Sequence, residues 1–276
     1  MNFDALESGE IAVLGIPFDD HSSFLKGAAK APDRIREALH SESANLCTES
    51  VLDLSRSGGW SDLGDLAELG GQEPFQQIET AVKRIVDRGA RPLLLGGDHS
   101  VTYPIVRSIA STHQELTILH LDAHPDLYDE LDGNRLSHAC PFARIMEEGL
   151  ANRLVQVGIR TMNLHQKEQA ARFGVEIFTA SKWNPTVDLA LEGPLYISVD
   201  MDVFDPAFAP GVAHLEPGGL SSRDVFGILQ SIQARVVGAD IVELNPDRDP
   251  SDITARLAAK VLKELLSIML DGTSGA

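Results

Sequence analysis

Only two cysteines occur in the chain, Cys47 and Cys140, and their spacing matches neither a thiolate metal site nor a redox pair. We read both as free thiols, since no disulfide between them follows from the sequence. Basic residues are also scarce. Lys and Arg number 23 against 41 Asp and Glu, a formal net charge of −18 with a pI near 4.8. The longest basic cluster is the pair Lys83-Arg84, in a window that reads as an ordinary helix face. Neutralising phosphates takes a basic surface, so no nucleic acid partner is expected, and no anionic membrane surface either. Runs of the ~18 to 20 uncharged apolar residues that span a bilayer are missing. The first residues, Met1-Asn2-Phe3-Asp4-Ala5-Leu6-Glu7, are acidic where a secretory signal is basic, and a cytoplasmic protein is expected. A strong negative field suits small cationic ligands or metal ions, and it also simply keeps a protein dispersed.

The 43% apolar content is enough for a sizeable core. No Pro-rich linker, low-complexity segment or repeat divides the chain, so one α/β domain is expected over residues 1–271, with Gly-Thr-Ser-Gly-Ala at 272–276 as a flexible tail. Short apolar runs at 11–16, 92–95, 116–121, 154–159, 175–178, 195–199 and 236–242 read as strands. Being nearly continuous, they predict strands buried on both faces. Helical patterns at 32–39, 74–88, 102–110, 140–148, 165–172, 222–233 and 253–269 alternate with them, the order expected of a mostly parallel sheet between two helical layers. Residues 40–72, polar and Gly-rich with no clear period, read as a surface excursion.

Three strand ends carry chemistry. The apolar run through Leu121 continues into Asp122-Ala123-His124-Pro125-Asp126, and side chains two apart on an extended backbone point the same way. Asp122, His124 and Asp126 can therefore converge beyond the strand's carboxyl end, where open α/β sheets place their ligands. A lone Asp-x-His would be read as a solvated turn; three ligand types in alternation after a buried strand read better as a site. A second run, Tyr196-Ile197-Ser198-Val199, ends in Asp200-Met201-Asp202, and a turn at Asp205-Pro206 explains neither of those carboxylates. Unpaired carboxylates side by side repel and call for a cation. In the third segment Leu93-Leu94-Leu95 passes through Gly96-Gly97 to Asp98-His99-Ser100, where Asp98 or Ser100 would serve as a helix cap and His99 would sit at the same edge as the other clusters. Four carboxylates and two imidazoles form a mixed oxygen and nitrogen set that suits a pair of Mn²⁺ ions better than structural zinc. Such a pair would aim a hydroxide at an electrophilic carbon.

These segments resemble the signatures of the ureohydrolase family of arginases, agmatinases and related guanidino hydrolases: Gly-Gly-Asp-His-Ser at 96–100, Asp-Ala-His-Pro-Asp at 122–126, and Ser-Val-Asp-Met-Asp-Val-Phe-Asp-Pro-Ala-Phe-Ala-Pro-Gly at 198–211. The resemblance runs from Ser22-Ser23-Phe24 to the last helix, and Ser137-His138-Ala139, Gly211-Val212-Ala213-His214 and Val237-Gly238-Ala239-Asp240 look most like plant-type arginases. It implies an arginase-like three-layer α-β-α fold and two Mn²⁺ per subunit. One would be held by His99, Asp122, Asp126 and Asp200, the other by Asp122, His124, Asp200 and Asp202, with Asp122 and Asp200 bridging. It further implies that Glu243 binds the substrate guanidinium, a role suited to a carboxylate facing paired N–H donors, and that His138 shuttles a proton. Alone, Glu243 would read as a surface salt-bridge partner and His138 as a helix-start histidine. The implied reaction releases urea from a small cationic guanidino substrate, and the implied assembly is a homotrimer or homohexamer.

The substrate's far end is less determined. Gly158-Ile159-Arg160 is followed by Thr161-Met162-Asn163 instead of the acidic residue of animal arginases, and Val212-Ala213-His214-Leu215 stands where many agmatinases have Thr-Gly-Thr-Pro. Plant-type arginases resemble the chain at both places, which favours L-arginine; Asn163 and His214 are candidates for touching its tail. Agmatine, guanidinobutyrate, guanidine and formiminoglutamate are the alternatives. Two other classes are a single-zinc deacetylase-like hydrolase, against which the pair Asp200 and Asp202 argues, and a non-catalytic metal-binding protein, which would be expected to have lost a ligand or His138.

Overall fold

The computed structural model describes residues 1–67, 69 and 73–271; the expected tail at 272–276 lies outside them. Eight parallel strands form one sheet in the order β2-β1-β3-β8-β7-β4-β5-β6. They are β1 (Ile11–Gly15), β2 (Trp60–Asp65), β3 (Arg91–Leu95), β4 (Thr117–Leu121), β5 (Arg153–Ile159), β6 (Glu176–Thr179), β7 (Leu195–Asp200) and β8 (Val236–Val242). The helices are α1 (Ala31–Leu39), α2 (Pro74–Asp87), α3 (Thr102–Ala110), α4 (Pro141–Glu147), α5 (Leu164–Phe173), α6 (Ser222–Ser231) and α7 (Ile253–Asp271).

Strand residues alternate between two apolar layers, as the two-residue period of a strand requires. Val13, Leu93, Leu119 and Ile197 join the core under α1, α6 and α7, while Leu14, Leu94, Ile118 and Tyr196 join the core under α2, α3 and α4. Every residue of β1, β3, β4, β7 and β8 is buried, which is why these strands read as unbroken apolar runs. The sheet edge is different. β2 is Trp-Ser-Asp-Leu-Gly-Asp, largely half-buried and paired on one side, so the segment expected as a surface excursion contributes a strand. Its alternation is masked because one face is anchored by polar contacts: Arg36 bonds both Asp62 and Asp65.

The helices start where local chemistry sets them. Pro occupies the first turn of α1, α2 and α4, where no intrahelical N–H is needed. Capping boxes open α5, with Asn163 and Gln166, and α6, with Ser221 and Asp224. Strands β3, β8, β7 and β4 are neighbours at the centre of the sheet, and their carboxyl ends come together on one edge.

Candidate active site

Each central strand delivers its side chains through a short, hydrogen-bonded exit. After β3, Gly97 passes so close to the preceding chain that a Cβ there would lie 1.7 Å from the Phe18 carbonyl oxygen. Asp98 then caps the turn His99–Val101, its Oδ1 accepting the Ser100 N–H at 3.0 Å. After β7, Asp200 Oδ1 accepts the Asp202 N–H at 2.7 Å and caps the turn Met201–Val203. After β4, Asp122 Oδ1 accepts the His124 N–H at 2.5 Å. Asp126 and Glu243 both hold positive φ, 50° and 64°, a conformation that costs a side-chain-bearing residue energy and that the surrounding contacts must sustain. For Glu243 one such contact is its own N–H donating to the Gly97 carbonyl at 2.9 Å.

The six expected ligands converge in two groups. Around the buried His99, Nδ1 stands 3.2 Å from Asp122 Oδ2, 3.1 Å from Asp126 Oδ2 and 3.1 Å from Asp200 Oδ2. On the other side of Asp122, His124 Nδ1 is 3.0 Å from Asp202 Oδ2 and 3.4 Å from Asp122 Oδ1. The carboxylates strain against each other. Burial, then the neighbouring Asp202 and Asp122, push Asp200 well above the usual carboxylate range, and burial with Asp122 raises Asp202. Burial would lower His124, but Asp202 and Asp122 outweigh it and push the imidazole up to about 12. The cluster as a whole demands positive charge.

The hydrogen bonds around His99 say where that charge belongs. Ser198 donates its hydroxyl to Asp240 Oδ1 at 2.6 Å, so its oxygen accepts from His99 Nε2 at 2.9 Å. With Nε2 committed to Ser198, His99 turns Nδ1 toward three carboxylate oxygens; burial opposes charge on the ring, but Asp122, Asp126 and Asp200 outweigh it, so positive charge, a proton or a metal ion, belongs at Nδ1, which has no hydrogen-bond partner. Ligands at right angles on ~2.1 Å bonds stand about 3 Å apart, which is the spacing of these atoms. A divalent cation fits the donor set. By distance alone two groups could hold an ion: His99, His120, Asp122 and Asp126, and Asp122, His124 and Asp202.

Beside this cluster a cavity of about 190 Å³ is lined by residues including Ser23, Asp126, Tyr128, Thr161, Gln166, His214 and Glu243. His138 Nδ1 is 2.8 Å from Glu243 Oε1, and Nε2 faces Ser23, 2.8 Å from its hydroxyl and 3.1 Å from its N–H. Glu243 Oε1 also accepts the His99 N–H at 2.9 Å. The His214 ring lies 5.5 Å from both the His138 and His124 rings. Asn163 does not line the cavity. Its side chain caps α5 and donates to the Tyr128 hydroxyl at 2.7 Å, leaving Tyr128, Thr161 and Gln166 at the wall. The sequence reading also passed over His120, Gln156, Ser198 and Asp240, all fully buried beside the cluster.

The arginase family model matches residues 9–267. The chain belongs to the arginase family. It is 48% identical over 271 residues to mitochondrial arginase 1 of Arabidopsis thaliana, covering 92% of this chain and 79% of that protein. Arginase 2 of the same plant, chloroplastic/mitochondrial, is 46% identical over 94% of this chain and 80% of its own. The solved arginase of Medicago truncatula superposes with a TM-score of 0.90 at 42% identity, over 94% of this chain and 87% of that one. Agmatinases and a guanidino acid hydrolase are also related. The protein is therefore a hydrolase of the ureohydrolase type, acting on guanidino compounds. The family also corrects one expectation. These plant relatives are organellar by name, which overturns the cytoplasmic location inferred from the acidic first residues; neither net charge nor site chemistry carries an address. Among the described residues no helix is long and apolar enough to cross a membrane.

Proposed function

We propose that the protein is an arginase that hydrolyses L-arginine to ornithine and urea with two Mn²⁺ ions per subunit. The observation that carries the substrate reading is the high identity to plant arginases over nearly the whole chain. The uncharged, hydrogen-bonding wall of Tyr128, Thr161 and Gln166 supports it, because it sets no acid against the carboxylate that arginine has and agmatine lacks. His99, Asp122, Asp126 and Asp200 would hold one ion, and Asp122, His124, Asp200 and Asp202 the other. When bound, the ions supply Lewis acidity and a nucleophile at neutral pH.

The chain's own residues orient the substrate and move its proton. Glu243 is fixed by the His99 N–H and His138, and its carboxylate would take the guanidinium N–H donors, holding the reacting carbon over the metal cluster. His138 is charged at neutral pH, since Glu243 outweighs its burial and pushes it up to about 9, and it would protonate the leaving amine. The Ser23 hydroxyl accepts from imidazolium and donates to imidazole, whereas the Ser23 N–H donates to Nε2 at 3.1 Å only while that nitrogen is bare, so protonation of Nε2 costs one hydrogen bond and favours giving the proton up.

Urea release by the Mn²⁺-loaded protein from arginine, agmatine, guanidinobutyrate and guanidine tests the reading, with Asp122→Asn and metal-stripped protein as controls. Release from arginine that is lost in both controls supports it; preference for another guanidine reassigns the substrate. We also read residues 1–271 as one domain, which the single sheet supports, and the assembly as a homotrimer or homohexamer, an expectation from family membership that light scattering would measure.

A further inference from the structure

His120 lies within ligand distance of the cluster, yet its hydrogen bonds give it a different task. On β4 it pairs in register with Gln156 of β5. The Gln156 amide nitrogen is 2.7 Å from the Pro125 carbonyl and 3.0 Å from His120 Nδ1. A carbonyl oxygen only accepts, so the amide must turn its NH₂ this way, and its second N–H then meets Nδ1. Two donors cannot face each other. His120 Nδ1 is therefore bare, its proton sits on Nε2, and Nε2 donates to Asp122 Oδ2 at 2.7 Å. The orientation is held at a cost, because the buried Gln156 Oε1 has no partner. Flipping the amide would set that oxygen against the Pro125 carbonyl. Phe142 stacks on the His120 ring at 3.9 Å and holds its plane.

We propose that Gln156 is a positioning residue of the metal centre: through Pro125 and His120 it fixes which imidazole nitrogen carries the proton, and His120 thereby aims the Asp122 carboxylate without being a ligand. With Oδ1 tied to the His124 N–H and Oδ2 to His120, Asp122 is left one defined set of lone pairs for the two halves of the cluster. Partners that orient a metal ligand in this way typically contribute about 10- to 100-fold in metal affinity. The proposal rests on the reading of Asp122 as a metal ligand.

The test is a Mn²⁺ titration followed by the paramagnetic resonance signal of free Mn²⁺, together with the ¹⁵N spectrum of histidine-labelled, metal-free protein. Wild-type His120 should show its proton on Nε2, an observation that needs no variant to fold. Gln156→Leu should bind Mn²⁺ about 10- to 100-fold more weakly. His120→Phe, which keeps the stack but not the donor, should lose affinity, and His120→Gln, which restores an N–H near the Nε2 position, should recover much of it. A His120 proton on Nδ1, Gln156→Leu affinity within about threefold of wild type, or loss of one whole Mn²⁺ in His120→Gln would overturn the proposal. Asp122→Asn separates the two readings. If it binds Mn²⁺ normally, the metal centre itself is misassigned; if it fails while the Gln156 and His120 variants bind normally, only the relay is.

Discussion

His138 Nδ1 and Glu243 Oε1 stand 2.8 Å apart with both side chains more than nine-tenths buried, so one charged pair fills the cavity wall proposed above to receive a cation. A guanidinium must displace or share that bond. The arrangement keeps Glu243 ionised: burial would raise it, but His138 holds it below its usual range.

The pair predicts a pH dependence. For His138 burial opposes the charge, and Glu243 outweighs it, raising the pKa from 6.5 to about 9. A folded pKa above the unfolded one means stability that is complete below about 6.5 and lost as pH rises through about 9. In metal-free protein the thermal midpoint should therefore fall more steeply over that window in wild type than in His138→Gln. A ¹⁵N titration placing wild-type His138 at or below 6.5, or unmoved by Glu243→Gln, would contradict this account.

Metal removal should expose the repulsion among the carboxylates. Stripping Mn²⁺ with a chelator is expected to lower the unfolding midpoint, and reloading at about 100 times Kd should return about 2.7 kcal/mol for each site filled. Asp200→Asn keeps the Oδ1 that accepts the Asp202 N–H while removing a charge that its neighbours disfavour. Its metal-free midpoint should equal or exceed that of wild type, with most of the Mn²⁺-induced rise gone. A rise of wild-type size in this variant would remove Asp200 from the ligand set.

Much of this was legible in the sequence because the central strands are buried on both faces and so are written as apolar runs. β2 was not, since an edge strand carrying Asp62 and Asp65 lacks that signal. The proposed ligands stood out as Asp and His beyond strand ends. Their supports did not, because His120 and Ser198 lie inside the strands and read as strand residues. A signal was nevertheless available: both share parity with the carboxylates two residues on, and a polar side chain in a fully buried strand needs a partner. Gln156 and Asp240 come from other strands, and only the sheet order brings them there.

Gly97 should be irreplaceable for a steric reason. A methyl group there would meet the Phe18 carbonyl oxygen at 1.7 Å and its carbon at 2.6 Å, both backbone atoms that cannot swing aside. The same stretch joins Asp98 N–H to Phe18 O at 2.8 Å and Glu243 N–H to Gly97 O at 2.9 Å, so any shift moves His99 and Glu243 together. Gly97→Ala is expected to cost about 1–3 kcal/mol or more and to impair Mn²⁺ binding. Gly227→Ala, in α6 with open space around it, is the control and should be neutral or stabilising by up to about 1 kcal/mol. Equal midpoints for the two variants would refute the steric argument.

Gln166 offers a test of how the substrate's far end is read. It is 4% exposed, and its Oε1 accepts the Asn163 N–H at 3.1 Å in the capping box of α5. Its Nε2 has no hydrogen-bond partner among the described residues, and the residue lines the cavity. An amide donor at the start of a helix suits a carboxylate, whereas agmatine ends in an ammonium. Gln166→Glu keeps an acceptor for Asn163, so the cap survives, but replaces the donor with a negative charge. The ratio of kcat/KM for arginine over agmatine should fall by about tenfold or more, equivalent to about 1.4 kcal/mol, with Mn²⁺ binding unchanged. If the ratio holds while α5 stays intact, the amide does not meet the substrate, and discrimination between the two must come from the Ser23 and His214 side of the cavity.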